Sequence, residues 1–412
     1  MSDRIVITGM GTVNSLGLSV PETWEKILNG VSGVGPITLF DTREFLVQIA
    51  CEVKNFQSDH YMQAREARRR DRYAQLACAA TQEAMRQSGL EVTEVNAGRI
   101  GVVVSAAIGG IGSVEESINT LSTEGPRRVS PFTIPMLMPN GASGLIAIDY
   151  GIKGPCFSVA SACASGADGI GLAGMLIRNG VIDVAITGAS DATITPVGVA
   201  SFDRLGAMSR NNDDYSMTPQ PFDKNRDGLV MGEGSAILVL ERESHAINRG
   251  AEILAELAGY ASTADAYHIT APSEDGVGGS KAIRLAMHSA GVNPEDVDYI
   301  NAHGTATPLN DLSETLAIKA AFGQQAYKIP VSSTKSMTGH MMGTTAALEA
   351  IFCVLVTRDS VVPPTIHYQT PDPQCDLDYV PNQARQIPVR IALSNAFGFG
   401  GHNALLVIKK VY

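Results

Sequence analysis

Short apolar runs alternate along this chain with longer segments whose apolar residues recur at helical spacing. Four runs in the first half are typical of buried strands, and Asp71–Met85 has one apolar face, as a helix does. The predicted strands are Ile5–Gly9, Gly101–Val104, Val181–Thr187 and Ala236–Leu240. Strands that alternate with helices predict an α/β fold whose sheets are covered by helices.

The second half repeats this alternation of strands and helices. Its predicted elements are strands at Glu252–Gly259 and Val297–Asn301 and a helix at Ser280–Ala290. Both halves end in a glycine-rich turn followed by an apolar strand: Gly232–Ser235 with Ala236–Leu240, and Gly398–Asn403 with Ala404–Ile408. The pattern fits one duplicated fold or two domains, and we predict a division into residues 1–250 and 251–412.

Composition and charge exclude several classes of protein. The 412 residues are 44% hydrophobic and 18% charged, a globular balance, and the net charge of −11 argues against a nucleic-acid-binding surface. The N-terminal segment lacks the layout of a signal peptide, and no uncharged stretch reaches the roughly 18 residues of a membrane span. We therefore expect a cytoplasmic protein without a membrane span.

Cys163 stands out among the six cysteines, none of which forms a C-x-x-C pair. Small residues surround it in Val159–Gly169, and a helical apolar pattern follows. This arrangement predicts a strand-to-helix turn, where the helix dipole and free backbone N–H groups lower a cysteine pKa and favour the nucleophilic thiolate. The alternative is a cysteine that only packs among small side chains.

Two histidines occupy positions suited to chemistry. His303 follows the predicted strand ending at Asn301, where α/β folds place site residues. His340 ends a polar loop that also holds Lys335, and the helical stretch Thr344–Val356 follows it. If the halves are duplicated, the helix starts after Cys163 and His340 meet and bring these two side chains together. Each histidine could instead be structural, and the lysine could be solvated.

A last segment, Ser394–Gly401, joins Phe397 and Phe399 to closely spaced glycines. Glycine permits unusual backbone angles and lets a main-chain N–H point at a ligand. The two aromatic rings could wall an apolar pocket or simply pack in the core.

Together these four segments resemble the elongating β-ketoacyl-acyl-carrier-protein synthases, synthase II above all. The likeness extends from Ile5–Gly11 to Gly398–Gly401, and the ordered Cys, His-Gly-Thr, Lys…Gly-His and Gly-Phe-Gly-Gly motifs carry it. The resemblance implies a thiolase-like fold, which is a duplicated five-layer α/β/α/β/α arrangement.

The resemblance also implies a role for each matched residue. The catalytic set is Cys163 as the acylated nucleophile, His303 and His340 as the paired histidines, Lys335 beside them, and Phe399 as the pocket gate. The backbone N–H groups of Cys163 and Phe399 would form an oxyanion hole. Supporting carboxylates are Glu314 and Glu349, and substrate-binding residues are Ala107, Ile108, Phe202, Thr270, Thr305, Thr307 and Phe397.

The implied reaction is a decarboxylative condensation between an acyl chain on Cys163 and malonyl-acyl-carrier protein. Covalent catalysis divides this difficult step into two, and two imidazole N–H groups would stabilise the developing enolate. No metal, nucleotide or redox cofactor is required. Some relatives bind a cation near Asn301 and Ser394–Asn395, but nothing in this sequence demands one.

The implied partners are acyl-carrier protein, malonyl-acyl-carrier protein, and a second synthase chain in a homodimer or a heterodimer with a chain-length factor. A basic cluster interrupts the acidic sequence at Arg65, Arg68, Arg69, Arg70 and Arg72. Of these, Arg65, Arg68 and Arg69 are predicted to dock the carrier protein, the alternative being a solvated helix face. The family often has an arginine near Gly206 that this chain lacks, and Arg204 could compensate.

Two departures from the family concern the substrate. Ser105–Ile108 replaces a more glycine-rich turn, and Met136–Gly141 is unusual in a region that the family places at the dimer interface and tunnel end. They leave open a ketosynthase of a type II polyketide or polyene pathway. A non-catalytic chain-length factor is disfavoured by the retained Cys163, and a degradative thiolase by the Lys335 and His340 pattern.

Overall fold

The structure, a computed structural model, describes residues 4–411. Ten strands in this part of the chain form one continuous hydrogen-bonded β-sheet. They are β1 (Ile5–Asn14), β2 (Ile100–Ser105), β3 (Cys156–Phe157), β4 (Val184–Ala192), β5 (Glu233–Arg242), β6 (Ala255–Ala264), β7 (Tyr299–Asn301), β8 (Val331–Ser332), β9 (Ile391–Gly398) and β10 (His402–Lys409). Two short ladders pair Gly35–Pro36 with Ile49–Ala50 and Val361–Val362 with Arg385–Gln386.

Thirteen α-helices lie within the described residues. They are α1 (Val20–Leu28), α2 (Ala64–Ala67), α3 (Arg72–Ser88), α4 (Ile111–Glu124), α5 (Thr133–Leu137), α6 (Gly141–Tyr150), α7 (Ser165–Arg178), α8 (Pro196–Arg204), α9 (Glu243–Asn248), α10 (Val277–Ser289), α11 (Pro308–Phe322), α12 (Lys335–Thr338) and α13 (Gly343–Asp359). Short 3₁₀ helices occupy Ser58–His60, Ala97–Arg99, Tyr215–Met217, Pro294–Asp296 and Gly323–Lys328. None of the helices in residues 4–411 is both long and apolar enough to cross a membrane.

The strand order shows an internal duplication. The first half runs β3-β2-β4-β5-β1 and the second β8-β7-β9-β10-β6, so adding five to each label converts one order into the other. In both halves the first three strands are parallel and the other neighbours antiparallel. The halves join where β1 pairs with β6 at Val6–Glu256 and Ile7–Ala255. The exact division at residue 250 stays a prediction.

Helices and sheets stack in five layers, which confirms the predicted fold class. Helices α3 and α6 cover the outer face of the first half-sheet, and α10 and α11 lie outside the second. Helices α7 and α13 lie between the half-sheets and contact both. Since α13 is packed between α7 and the two half-sheets, every residue from Gly343 to Thr357 is buried. This helix therefore has no polar face toward solvent.

Element boundaries differ from the predictions where charged or glycine residues lie at strand ends. The strand predicted from Val181 begins at Val184, because Val181 is exposed and Asp183 accepts hydrogen bonds from Arg99 and Arg242 outside the ladder. The predicted turn Gly232–Ser235 belongs largely to β5, where Ser235 pairs with Val13. Apolar periodicity locates strands well but places their ends poorly.

Candidate active site

Cys163 lies in a tight turn immediately before α7, as the small residues around it predict. Ala162 adopts a φ of +50°, a backbone conformation that residues other than glycine rarely take. Ser165 secures the turn, because its Oγ accepts from the Ser161 N–H at 2.9 Å and donates to the Ala162 carbonyl at 2.6 Å. The Cys163 side chain is therefore presented in one direction, although it is only 7% exposed.

A second set of contacts ties this turn to the other half of the fold. The Asp168 carboxylate accepts from the Ser161 hydroxyl and, at 2.6 Å, from the Tyr260 hydroxyl on β6. Gly171 makes room for the Tyr260 ring, since a Cβ there would lie 2.3 Å from the ring carbons. The cysteine turn is thus held by residues of both halves.

The two histidines meet Cys163 from the second half. His340 lies between Val230 and Gly232, bonded to both through its backbone, and its Nε2 is 3.0 Å from the Cys163 Sγ. The His303 ring stands perpendicular to that of His340, with ring centroids 5.4 Å apart. Donor atoms of Cys163, His303 and His340 all lie within 4.8 Å of one another. The predicted meeting of the Cys163 and His340 segments is confirmed.

Glu314 fixes the loop that carries His303. Its carboxylate accepts the backbone N–H of His303 at 2.8 Å and that of Gly304 at 2.7 Å, and the Asn395 amide donates to it at 3.0 Å. Burial raises the pKa of Glu314, and these three donors oppose that rise. The carboxylate supports the loop backbone and leaves the imidazole of His303 free to face Cys163.

Lys335 and Glu349 form an ion pair in the interior. Their side chains are each 1% exposed, and Nζ lies 2.7 Å from Oε1. Burial raises the pKa of Glu349 to about 7, against the opposing charge of Lys335. Burial also holds the pKa of both His303 and His340 well below the usual range, and the Lys335 charge lowers each further. The histidines are therefore neutral hydrogen-bonding groups near pH 7.

The predicted low pKa of Cys163 is wrong. Burial raises the pKa of this thiol to about 11, against the lowering effects of the Lys335 charge and of the backbone N–H groups of Phe399 and Cys163. The position before α7 is as predicted, but the side chain is enclosed, and desolvation of the thiolate outweighs the helix terminus.

The glycine-phenylalanine turn approaches the cysteine from β9. A Cβ at Gly398 would lie 2.9 Å from the Ser161 carbonyl and 3.1 Å from the Cys163 N, so only glycine allows this approach. It brings the backbone N–H of Phe399 to the Cys163 sulfur. The Phe399 ring stacks on Phe202, with centroids 6.0 Å apart.

A cavity of about 340 Å³ opens above Cys163, His303 and His340. Five of the predicted substrate-binding residues line it: Phe202, Thr270, Thr305, Thr307 and Phe397. Ala107 and Ile108 do not line this cavity. Their backbone N–H groups donate to the buried Asp191 carboxylate at 3.0 and 3.3 Å.

Sequence reasoning missed Asp191 and Thr345. Asp191 joins the Ala107–Ile108 turn to α13, because it also accepts the Thr344 N–H at 3.2 Å. A charged residue at the end of an apolar run was a usable signal for Asp191. Thr345 contacts His340, but an isolated threonine in an apolar helix gave no signal.

The arginine cluster divides into two groups. Arg65, Arg68 and Arg69 are exposed on and just after α2. In contrast, Arg70 is buried with both its terminal nitrogens 2.7 Å from Asp149, and Arg72 bonds Glu233. The three residues predicted to dock a carrier protein are therefore the exposed members of the cluster, while Arg70 and the partly exposed Arg72 are engaged in ion pairs.

Several buried polar atoms near His303 have no hydrogen-bond partner within residues 4–411. They include both amide atoms of Asn301, the Ser394 hydroxyl and the Asn395 carbonyl oxygen, and Asn301 pairs with Ser394 across β7 and β9. Oxygen ligands of this kind suit a hard cation. The side-chain oxygens of Asn301, Ser394 and Asn395 fit the cation that the family resemblance implies for some relatives, and such an ion would satisfy these three oxygens when present. The Asn301 amide nitrogen is a donor and would not be a ligand.

Comparison with known proteins identifies the family. Residues 2–246 match the model of the beta-ketoacyl synthase N-terminal domain, and residues 254–369 match that of its C-terminal domain. The chain belongs to the beta-ketoacyl synthase family. It is an acyl-transferring condensing enzyme.

Individual relatives narrow the class. A 3-oxoacyl-[acyl-carrier-protein] synthase 2 of Staphylococcus aureus is 50% identical over 407 residues, covering 99% of this chain and 98% of that protein. Two solved structures each give a TM-score of 0.93 at 36% identity, with full coverage of both chains. One is a type II polyketide ketosynthase in complex with its acyl-carrier protein, and the other is the ishigamide ketosynthase/chain length factor.

Proposed function

We propose that Cys163 carries the acyl chain in the decarboxylative condensation that elongates fatty acids. The observation that carries this assignment is the contact of 3.0 Å between the Cys163 sulfur and His340 Nε2, beside His303, at the base of the cavity. A nucleophile, two neutral donors and an entry for substrate are thereby combined in one site.

The reaction divides into two transfers at this site. The Cys163 sulfur attacks the acyl thioester carbonyl as its thiol gives up a proton, the bond from that carbonyl to the carrier-protein sulfur breaks, and the departing sulfur takes up the proton and leaves as the carrier-protein thiol. Malonyl-carrier protein then enters, and the bond to its carboxylate breaks to release CO2 and leave an enolate. The enolate carbon attacks the acyl-Cys163 carbonyl, the Cys163 thiolate leaves, and the product is a 3-oxoacyl-carrier protein.

Two donor pairs suit the two negative charges that develop. The backbone N–H groups of Cys163 and Phe399 both face the sulfur region and would bind the oxyanion formed on the acyl carbonyl. His303 and His340, neutral and buried, would donate to the enolate oxygen. One preorganised donor of this kind contributes about 3–4 kcal/mol to the transition state. The Lys335 charge would keep the pKa of both histidines low. Glu314 would fix the loop that carries His303, and Glu349 would hold Lys335 in place through their ion pair.

The substrate partner is acyl-carrier protein, which the exposed Arg65, Arg68 and Arg69 would bind. The Arg69 guanidinium lies 4.5 Å from the centre of the Phe132 ring. Arg204 is also exposed, next to Leu205 and Gly206, which line the cavity. A positive surface beside the entry would steer an acidic carrier protein toward it.

The double change Arg65→Glu and Arg68→Glu should lower kcat/KM for acyl-carrier-protein substrates about tenfold at low salt and leave kcat nearly unchanged, because rim charges act mainly on encounter. Steady-state kinetics at several salt concentrations measure this, and the defect should shrink as salt rises. Arg390→Glu is a control for charge reversal at a distant site, since Arg390 is exposed just before β9, at the opposite end of that strand from Gly398. Equal loss in both variants would contradict docking at Arg65 and Arg68.

The assembly and compartment are further parts of the proposal. We expect a homodimer in which α5 and its neighbours meet a second chain, with a chain-length-factor heterodimer as the alternative. Ile118, Leu121 and Ile134 on α4 and α5 are exposed, which favours an interface there.

All six cysteines are free thiols, as is usual in the reducing cytoplasm.

A polyketide or polyene ketosynthase is the second candidate, favoured by the two structural relatives with TM-scores of 0.93. Mass spectrometry of Cys163 after incubation with a panel of acyl-carrier proteins separates the two functions. Acylation by saturated C12–C16 chains, followed by malonyl-dependent release of the 3-oxoacyl product, is expected for fatty acid elongation. Acylation only by unreduced or polyunsaturated chains would overturn elongation in favour of the second candidate.

A further inference from the structure

The Nδ1 atom of His340, on the opposite side of the ring from the Nε2 that meets Cys163, lies against the hydroxyl group of Thr345. Thr345 lies in the first turn of α13 and is 1% exposed. Its Oγ1 is 3.2 Å from His340 Nδ1 and accepts the backbone N–H of Met341 at 2.8 Å. The hydroxyl is therefore held between one backbone donor and one imidazole nitrogen.

The position of the hydroxyl proton follows from these contacts. A threonine hydroxyl has one proton to donate, and its oxygen here already accepts from Met341. Within residues 4–411, the remaining hydrogen-bond partner of this hydroxyl is His340 Nδ1, so Nδ1 is the atom in position to accept the proton. If Nδ1 carried the imidazole proton instead, the buried hydroxyl would lose its acceptor, at the cost of an unsatisfied polar group.

An imidazole that accepts at Nδ1 carries its proton at Nε2 when neutral. In His340 this is the nitrogen 3.0 Å from the Cys163 sulfur, facing the cavity. The backbone of His340 is fixed separately by Val230 and Gly232. Thr345 thus determines which nitrogen holds the proton, while the backbone determines where the ring lies.

We propose that Thr345 is a positioning residue that holds neutral His340 in the Nε2–H tautomer and so prepares the donor for malonyl decarboxylation. The proposal rests on the proposed function, in which His340 donates to the enolate oxygen. Thr345 touches neither substrate nor Cys163 in this role. It acts only through the proton distribution of the ring.

Thr345→Val tests the proposal, because valine keeps the branched shape and removes the hydroxyl. Nitrogen-15 NMR of histidine-labelled protein should show the Nε2–H tautomer for His340 in the parent enzyme and a substantial Nδ1–H population in the variant. The kcat for malonyl-carrier-protein decarboxylation should fall at least about tenfold. The fall should be smaller than the roughly 10²–10³-fold loss seen when a preorganised donor is removed altogether, because the imidazole remains in place. KM should change little.

Two variants separate this effect from damage to the helix. Thr345→Ser retains a hydroxyl and should restore kcat to within about twofold of the parent. Thr357→Val removes another buried hydroxyl from α13, one that bonds the Val354 carbonyl at 2.8 Å, and should leave both tautomer and kcat unchanged. A Thr345→Val protein that keeps the Nε2–H tautomer would overturn the proposal.

The remaining outcomes are also distinguishable. If Thr345→Val shifts the tautomer but kcat is unaffected, preparation of the donor is overturned. His340→Ala tests the proposed function alone: unchanged decarboxylation there would show that His340 is not the donor, whatever Thr345 does. If kcat is lost in His340→Ala and in Thr345→Val but retained in Thr345→Ser, the result supports both the donor role of His340 and the positioning role of Thr345.

Discussion

Replacing Cys163 with alanine will abolish condensation, with kcat for 3-oxoacyl product lowered by roughly 10⁴-fold or more, as in other enzymes that lose a covalent nucleophile. Alanine removes the sulfur that forms the acyl-enzyme, while the turn around it keeps its Ser161–Ser165 hydrogen bond. Two measurements check this: the mass of the protein after exposure to acyl-carrier protein, and the rate of product formation with malonyl-carrier protein.

Cys156→Ala is the matched control for this experiment. Cys156 precedes the same turn, on β3, and it is exposed, whereas Cys163 is enclosed. The control should acylate and condense at the parent rate. Malonyl-dependent condensation that survives in Cys163→Ala would refute the assignment of the nucleophile.

The α/β class was predictable because strand-helix alternation is a local feature of sequence. The duplicated five-layer arrangement was implied by the family resemblance, since the repeated glycine-strand endings fit either one duplicated fold or two domains. Strands such as Gly101–Val104 were located to within about a residue, as β2 spans Ile100–Ser105. Strand ends were less predictable where a charged residue decides them. Asp183, for example, leaves the ladder because it bonds Arg99 and Arg242, which lie far from it in sequence.

The candidate site was predictable in its members but not in its energetics. Small residues around Cys163 and the position of His340 before a helix predicted their meeting, which the structure shows at 3.0 Å. The raised pKa of Cys163 was not predictable, because the helix start is local whereas enclosure depends on the other half of the fold. The division of the arginine cluster likewise depends on Asp149 and Glu233, which no nearby sequence pattern reveals.

Replacing Lys335 with methionine will lower the free energy of unfolding by about 3–5 kcal/mol at pH 8, because it leaves the Glu349 carboxylate buried without its cation. The loss should be smaller at pH 5.5. Burial already raises the pKa of Glu349 to about 7, and loss of the Lys335 charge raises it further. A carboxyl group with a raised folded pKa favours the native state at low pH, and stability falls as pH rises through that value. Urea titrations at both pH values measure the difference.

The double variant Lys335→Met and Glu349→Met separates the charge imbalance from the loss of packing. Since no buried charge then lacks a partner, stability at pH 8 should return to within about 1–2 kcal/mol of the parent. Activity should not return, because the Lys335 charge lowers the pKa of Cys163 and of both histidines, and its removal raises all three. A single Lys335→Met variant as stable as the parent at pH 8 would contradict a structural role for the ion pair. A double variant with full activity would show instead that Lys335 serves the fold and not the chemistry.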